Sequence, residues 1–435
     1  MAVQAINKLN RKVAPLVKDA REFELELPPY VRYTLSNGVE VYAIDLGKVD
    51  AMMVSWIFDA GNSYETGNGI AAAVNRLLKN GTSARKAFDI SEHFEYYGAY
   101  LNRACHHETA ELTLHCLNLH FRELAPVVAE LLTESVYPEE ELTIYKKNAQ
   151  QRLQVNLKKS EFVAGRLIDS YLYGETHPYG RYNRLEDYQA LQREELVEFY
   201  RKHYQQGACR VIAAGKLPAD LIPLLEKHFG SLPVGKPAVG DAVPLFPIVP
   251  AGEKKYRVTN DPDGVQGSIR IARNFPNRHH PDFQRVQVLN NVFGGFFGSR
   301  LMTNIREDKG YTYGIYSYLV NNRQESALMI STEAGKEVCE PAIAEVYKEM
   351  NLLREELIDE EELEMARNFA IGSVLGDLDG PFHVASRWKS ILLNGVDENY
   401  FREGIRIIKT ITPEELRELA VKWLDPAEFF ELVVV

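Results

Sequence analysis

LREELIDEEELEMARNFA, residues 353–370, and ESVYPEEELTIYKKNAQ, residues 134–150, share one local pattern: three consecutive glutamates followed at once by a leucine. Leu363 answers Leu142 at a distance of 221 positions. Acids gathered at the start of a helix sit where the N-terminal end of the dipole favours them, so both stretches are predicted to open helices. The final segment, LRELAVKWLDPAEFFELVVV (416–435), matches LVEFYRKHYQQGACRVIAAG (196–215) at 220 positions. Two matches at nearly one offset mark a duplication, and so long a period excludes a solenoid. The chain reads as two copies of an α+β domain of about 215 residues, each an antiparallel sheet packed with helices.

Between the copies lies PVGKPAVGDAVPLFPIVP (233–250), whose five prolines admit neither a helix nor a central strand. The predicted division is a first domain at 1–232, a linker at 233–255 and a second domain at 256–435. In the first domain a charged opening helix precedes VRYTLSNGVEVYAIDL (31–46), a hairpin turning at Asn37-Gly38. A strand at 51–59, helices at 69–80 and 87–97, a strand pair across 100–117, long helices from 121 and from 138, and a strand at 209–215 follow.

Composition narrows the function. A chain of 435 residues exceeds what one core serves, and a net charge of −11 without a basic run argues against nucleic acid or an anionic membrane as partner. The first thirty residues hold no apolar run of the length a signal peptide or membrane span needs, so a cytoplasmic protein is expected. Cys105, Cys116, Cys209 and Cys339 form no CxxC, which argues against a disulfide framework or a thiolate zinc site.

One stretch of the second copy carries chemistry. In SRLMTNIREDKGYTYGIYSYLV (299–320), Ser299 is a candidate N-cap of a short helix over 300–309, with Leu301, Met302 and Ile305 on one face. Gly310 ends it. From Tyr311 the period becomes two, with Tyr311, Tyr313 and Ile315 expected on one face of a strand and Thr312, Gly314 and Tyr316 on the other. The reversal brings Arg306 beside Tyr313, a fork of donors next to a hydroxyl on a rigid stem, suited to gripping a peptide carbonyl. An arginine at a helix C-terminus is also favoured by the dipole alone, so spacing leaves both readings open.

Together with the duplication and the linker, GNGIAAAVNRLLKNGT (67–82), GAYLNRACHHETAEL (98–112), YPEEEL (137–142), YGETHPYGR (173–181) and FGGFFGSRLMTNIREDKGYTYGIYS (293–317) resemble the M16 peptidase family of pitrilysin, insulin-degrading enzyme and mitochondrial processing peptidase. The resemblance covers essentially the whole chain. It implies two homologous domains of the LuxS/MPP-like metallohydrolase type, and an inverted zinc motif, HxxEH, on the helix at 69–80, completed by a downstream glutamate. Here Ala72 and Arg76 stand at the two histidine positions, Asn75 at the general base, and Gln151 or Arg152 at the glutamate. Alanine offers no ligand atom, arginine is a permanent cation, and asparagine takes no proton from water. The chain is therefore expected to bind no zinc there and to hydrolyse nothing alone, with Arg76 and Arg152 supplying positive charge in the old metal cavity. The resemblance also makes Arg306 and Tyr313 the pair that contacts substrate opposite the zinc.

The reading is a non-catalytic subunit of a heterodimeric zinc peptidase, giving Arg306 and Tyr313 in trans to a zinc-bearing paralogue that acts on peptides. A homodimeric peptide-binding or structural and assembly protein without proteolysis is the alternative. A relocated metal site among His106, His107, His115 and His120 is weaker, because no helical pair among them faces one ion. The glycines of GGFFGS lack the lysine of a phosphate loop and read as a tight turn.

Overall fold

The structure, a computed structural model, describes residues 18–234 and 244–435. The expected opening helix and the middle of the proline-rich segment lie outside the described residues. Strands β1 (Val31–Thr34), β2 (Glu40–Asp45), β3 (Ala51–Phe58), β4 (Tyr100–Cys105), β5 (Ala110–Leu117) and β6 (Cys209–Gly215) form one sheet in the order β1-β2-β6-β3-β5-β4. Strands β7 (Lys255–Val258), β8 (Gln266–Pro276), β9 (Thr312–Asn321), β10 (Glu325–Gly335) and β11 (Phe430–Val434) form a second, β7-β11-β8-β10-β9. Apart from β1 the two orders correspond, and β4 and β9 are the matching edges. Both sheets are antiparallel except for one parallel pairing each, β2 with β6 and β7 with β11. The all-antiparallel expectation is corrected to that extent, because the closing strand of each copy returns through helices and enters beside the first.

The helices repeat as the sequence does. Glu139–Asn156 and Glu360–Asp377 open on their three glutamates, and Asp359 caps the second by accepting from Glu362 N at 2.8 Å. Each is followed by a further helix, Ser160–Tyr173 and Pro381–Leu393. Along β3 the period of two sends Met52, Val54, Trp56 and Phe58 into a core with the helices Ile70–Leu77, Phe121–Glu134 and Arg193–Tyr200, and turns Ile57 to the other face.

That other face is apolar as well, and what covers it comes from the opposite copy. Pro381–Leu393 lays Val384, Ala385, Trp388 and Ile391 on Tyr42, Ile44, Ile57, Ile212 and Ala214 of the first sheet. Reciprocally, Ser160–Tyr173 lays Ala164, Ile168 and Leu172, spaced four apart on one helix face, on Ala272, Met329, Phe430 and Leu432 of the second. Full burial of each leucine or isoleucine contributes about 2 kcal/mol. Polar contacts fix the crossing: Trp388 Nε1 donates to the Pro28 carbonyl at 2.7 Å, Asn274 Nδ2 to the Leu172 carbonyl at 3.3 Å, and Arg323 Nη1 lies 3.5 Å from Asp59. Backbone bonds from Val249 N to Tyr173 O (3.2 Å) and Ala251 N to Tyr171 O (2.9 Å) pin the end of the proline-rich segment to the crossing helix. Among the described residues no helix is long and apolar enough to cross a membrane.

The crossing also pairs a buried carboxylate with a partly exposed ammonium, Lys389 Nζ lying on Glu111 at 2.8 and 3.1 Å. Lys389→Met strands that carboxylate and is expected to destabilise the chain by about 3 kcal/mol in chemical denaturation. Adding Glu111→Leu is expected to recover most of the loss, since removing both partners leaves no uncompensated charge.

Candidate functional site

The helix Ile70–Leu77 is held at its start by Glu65, whose carboxylate accepts from Gly69 N (3.2 Å) and Ala71 N (2.9 Å) and pairs with Arg181 at 2.9 Å. It thereby satisfies backbone donors that a first turn leaves open. Asn75 is buried, and its Nδ2 donates to the Glu111 carbonyl at 3.2 Å and the Tyr204 hydroxyl at 3.1 Å. The amide at the general-base position is thus committed to the core. Ala72 and Arg76, four apart, share an adjoining, more open face, Ala72 being half-buried and Arg76 exposed.

Facing Arg76 across a cavity of about 500 Å³ is Glu139–Asn156, which buries only Leu142 and Leu153. Asn148, Arg152 and Asn156 line the cavity and Gln151 does not, so of the two candidates for the downstream position Arg152 is the one at the cavity. Lys79 and Arg103 complete the basic lining. Arg103 Nη1 donates to the Arg76 carbonyl. Burial, then the Arg76 charge, pushes the Arg103 guanidinium down to about 10. Burial, followed by Arg103 and Arg76, lowers the Lys79 ammonium too. A zinc ion needs three or four neutral or anionic donors. An alanine, a core-bound amide and a ring of cations do not fit one. Among the described residues no three His, Cys, Asp or Glu side chains are grouped to hold a metal. His115 meets the edge of Phe382, His120 packs on Tyr97, and His107 stands 3.3 Å from Asn62 Oδ1.

The second copy places its pair as the reversal predicts. Met302–Asp308 is a widened helical turn, in which Lys309 N reaches back to Asn304 O at 3.0 Å, and it buries Met302 and Ile305. Ser299 does not cap it; its Oγ donates to the Phe296 carbonyl at 2.6 Å and holds the preceding loop. Gly310, at φ 65°, reverses the chain into β9. Gly294 lets the glycine loop press on the strand, since a Cβ there would stand 2.6 Å from Ser317 Oγ. Arg306 Nε then donates to the Tyr313 carbonyl at 2.9 Å, and its guanidinium lies 4.6 Å from the Phe297 ring centroid and 5.7 Å from that of Tyr313.

The expected alternation fails at Tyr313. Ile315 pairs with Thr332 and Thr312 with Ala334, so Tyr313 and Gly314 together oppose Glu333 in a β-bulge. Tyr313 is therefore 93% exposed while Ile315 is fully buried. The bulge turns the phenol outward at a sheet edge, and the bond from Arg306 fixes the bulged carbonyl.

A second cavity, of about 600 Å³, lies between the copies, where Asp169 and Arg166 of the crossing helix face Arg270, Tyr318 and Ser331 of the second sheet. Asn156 and Phe162 line both cavities, which therefore adjoin. Burial pushes the Asp169 carboxyl up to about 7 against the opposing pull of Arg270. Lys79, Arg103 and Asp169 are the groups that sequence reasoning missed. Only Arg103 left a signal, a charge alternating with Leu101 and Cys105 on the inward face of β4.

Residues 45–179 match the family model described as insulinase (peptidase family M16), and residues 190–369 match the one described as peptidase M16 inactive domain. The uncharacterized zinc protease YmxG of Bacillus subtilis is 24% identical over 393 residues, 89% of this chain and 94% of its own. Core protein I of the mitochondrial ubiquinol-cytochrome-c reductase complex of Euglena gracilis is 24% identical over 68% of this chain and 59% of its own. Among solved structures, a peptidase M16 inactive domain from Pseudomonas fluorescens superposes with a TM-score of 0.82 at 22% identity, over 93% of this chain and 98% of that one. A protease from Helicobacter pylori gives 0.83 at 17%, over 94% and 100%. The two-domain architecture is shared with both.

Because Asp169 titrates near 7 in the fold against an ordinary 3.8, the fold holds the extra proton between those values. Its contribution to stability is full below 3.8 and lost as the pH rises through about 7. Asp169→Asn, neutral throughout, is expected to be more stable than the unaltered chain by on the order of 4 kcal/mol near pH 8, with the difference vanishing toward pH 4 in thermal melts.

Proposed function

Since this chain belongs to peptidase family M16, we propose that it is the substrate-binding, non-catalytic subunit of a two-subunit zinc peptidase. Its own HxxEH positions hold Ala72, Asn75 and Arg76, so the metal and the general base are assigned to a zinc-bearing paralogue. The single observation that carries the reading is the Arg306–Tyr313 unit. An exposed phenol on an edge strand, with its backbone locked by the neighbouring guanidinium, is prearranged to meet a ligand outside the chain. Tyr313 donates its hydroxyl proton toward a peptide carbonyl oxygen on which negative charge develops. Arg306, anchored through Nε and stacked on Phe297, offers the rest of its fork to an adjacent carbonyl. Peptide adds as a strand to a free sheet edge, where main-chain bonds give affinity with little sequence selectivity.

A second reading, an assembly subunit without proteolytic role, is favoured by the similarity to a core protein of a respiratory complex. Mixing separates the two. The host's zinc-bearing paralogue is expected to cleave a mixed peptide library only when this chain is present, and Tyr313→Phe is expected to lower that rate on the order of a hundredfold to a thousandfold. Cleavage unchanged by mixing would overturn the shared-site reading in favour of the second.

A further inference from the structure

Arg76, Lys79, Arg103 and Arg152 converge on one cavity, and no ion pair within 4.0 Å joins any of them to a carboxylate among the described residues. The one carboxylate in the lining, Glu141, accepts from Asn80 Nδ2 at 2.6 Å. Arg103 is the most committed of the four, with Nη1 on the Arg76 carbonyl, yet its Nε is buried without a hydrogen-bond partner. A buried charged donor left unmade is costly, and like charges gathered at a low-dielectric wall repel. Burial first, and the neighbouring guanidinium charges second, lower the basicity of Lys79 and Arg103. Such an arrangement is relieved by an anion. The amides of Asn148 and Asn156 on the facing helix add neutral donors suited to an oxyanion.

The position of the cavity selects the kind of anion. Arg103 belongs to β4, whose outer edge takes no strand from the described chain. Leu101, Arg103 and Cys105 alternate on the β4 face that meets the helix Ile70–Leu77. A peptide extending the sheet along β4 would place alternate side chains on that same face, beside the guanidinium. A free phosphate would use the cations and leave the strand edge idle, whereas a peptide carboxylate uses both.

We propose that this cavity is a carboxylate-binding subsite, which takes an acidic side chain or the C-terminal carboxylate of a peptide lying along β4. The inference rests on the peptide-binding reading above and gives it a preference. It also places an anion where the HxxEH motif of the family would hold a cation.

The test incubates the purified chain with a mixed peptide library, half of it C-terminally amidated, and identifies the retained peptides by mass spectrometry. The same is done for the double variant Arg76→Gln with Arg152→Gln; both side chains are exposed, and melting confirms that the variant is folded. The expected result is retention biased about tenfold toward acidic or free-carboxylate peptides, lost in the double variant and shrinking as salt is raised. A bias confined to unamidated peptides assigns the C-terminal carboxylate, and one persisting in the amidated half assigns side chains. Peptides retained without acidic bias, or with the same bias in the double variant, overturn the subsite while leaving peptide binding intact. Retention of no peptide overturns both. Stabilisation of the unaltered chain by inorganic phosphate, without acidic bias among peptides, overturns the peptide carboxylate in favour of a small anion.

Discussion

Each sheet in this chain has two apolar faces and only one set of helices from its own copy to cover them. The second face of the first sheet is closed by Val384, Ala385, Trp388 and Ile391, and that of the second by Ala164, Ile168 and Leu172. Neither copy can bury its sheet without the other, so hydrophobic burial makes the two copies one cooperative body. The Lys389–Glu111 pair adds orientation to that burial, because the buried Glu111 carboxylate is costly unless the ammonium reaches it. The cavity between the copies follows from the same exchange. The crossing helix that seals the second sheet also brings Asp169 and Arg166 to face Arg270 and Tyr318.

The crossing leaves β4 and β9 at corresponding edges of the two sheets, and the chemistry gathers there. Beside β4 the chain presents cations; beside β9 it presents a phenol braced by a guanidinium. The helix beside β4 is held independently of its open face. Asn75 ties Ile70–Leu77 to β5 through the Glu111 carbonyl and to Tyr204, while Glu65 closes its first turn. With the buried side of the helix secured in this way, its open side can carry Arg76 without cost to the core.

Much of this was legible before any coordinates. The strands announce themselves by apolar, β-branched runs that pack on helices, and β3 and β6 fall within a residue of their expected bounds. The helix starts were readable from clustered glutamates. What could not be read depends on partners distant in sequence. An apolar stripe at 164, 168 and 172 announces burial and says nothing about which sheet receives it. The bulge at Tyr313 is likewise invisible in TYGIY, since the extra residue is defined by the register of β10. Ser299 has the chemistry of a cap, yet a closer carbonyl at Phe296 claims its hydroxyl. The Arg306–Tyr313 proximity was legible because it depends only on a helix, a glycine and a strand in immediate succession.

The bulge bears on how the pair is held. Had β9 continued in register, Tyr313 would share the inward face of Ile315, and its hydroxyl would be spent on the core of its own chain. The extra residue frees the ring and also leaves its carbonyl out of the ladder, an acceptor that would otherwise turn to water. Arg306 Nε takes that acceptor at 2.9 Å, so one interaction completes the bulge and fixes the guanidinium plane beside the phenol. An arginine that only ended a helix would gain from the dipole in many rotamers. One bonded through Nε, laid over Phe297 and with Nη1 3.6 Å from the Glu307 carboxylate is confined to a narrow range of orientations. A backbone irregularity and a side-chain pair thus explain each other, which ordinary tyrosines on an ordinary strand would not.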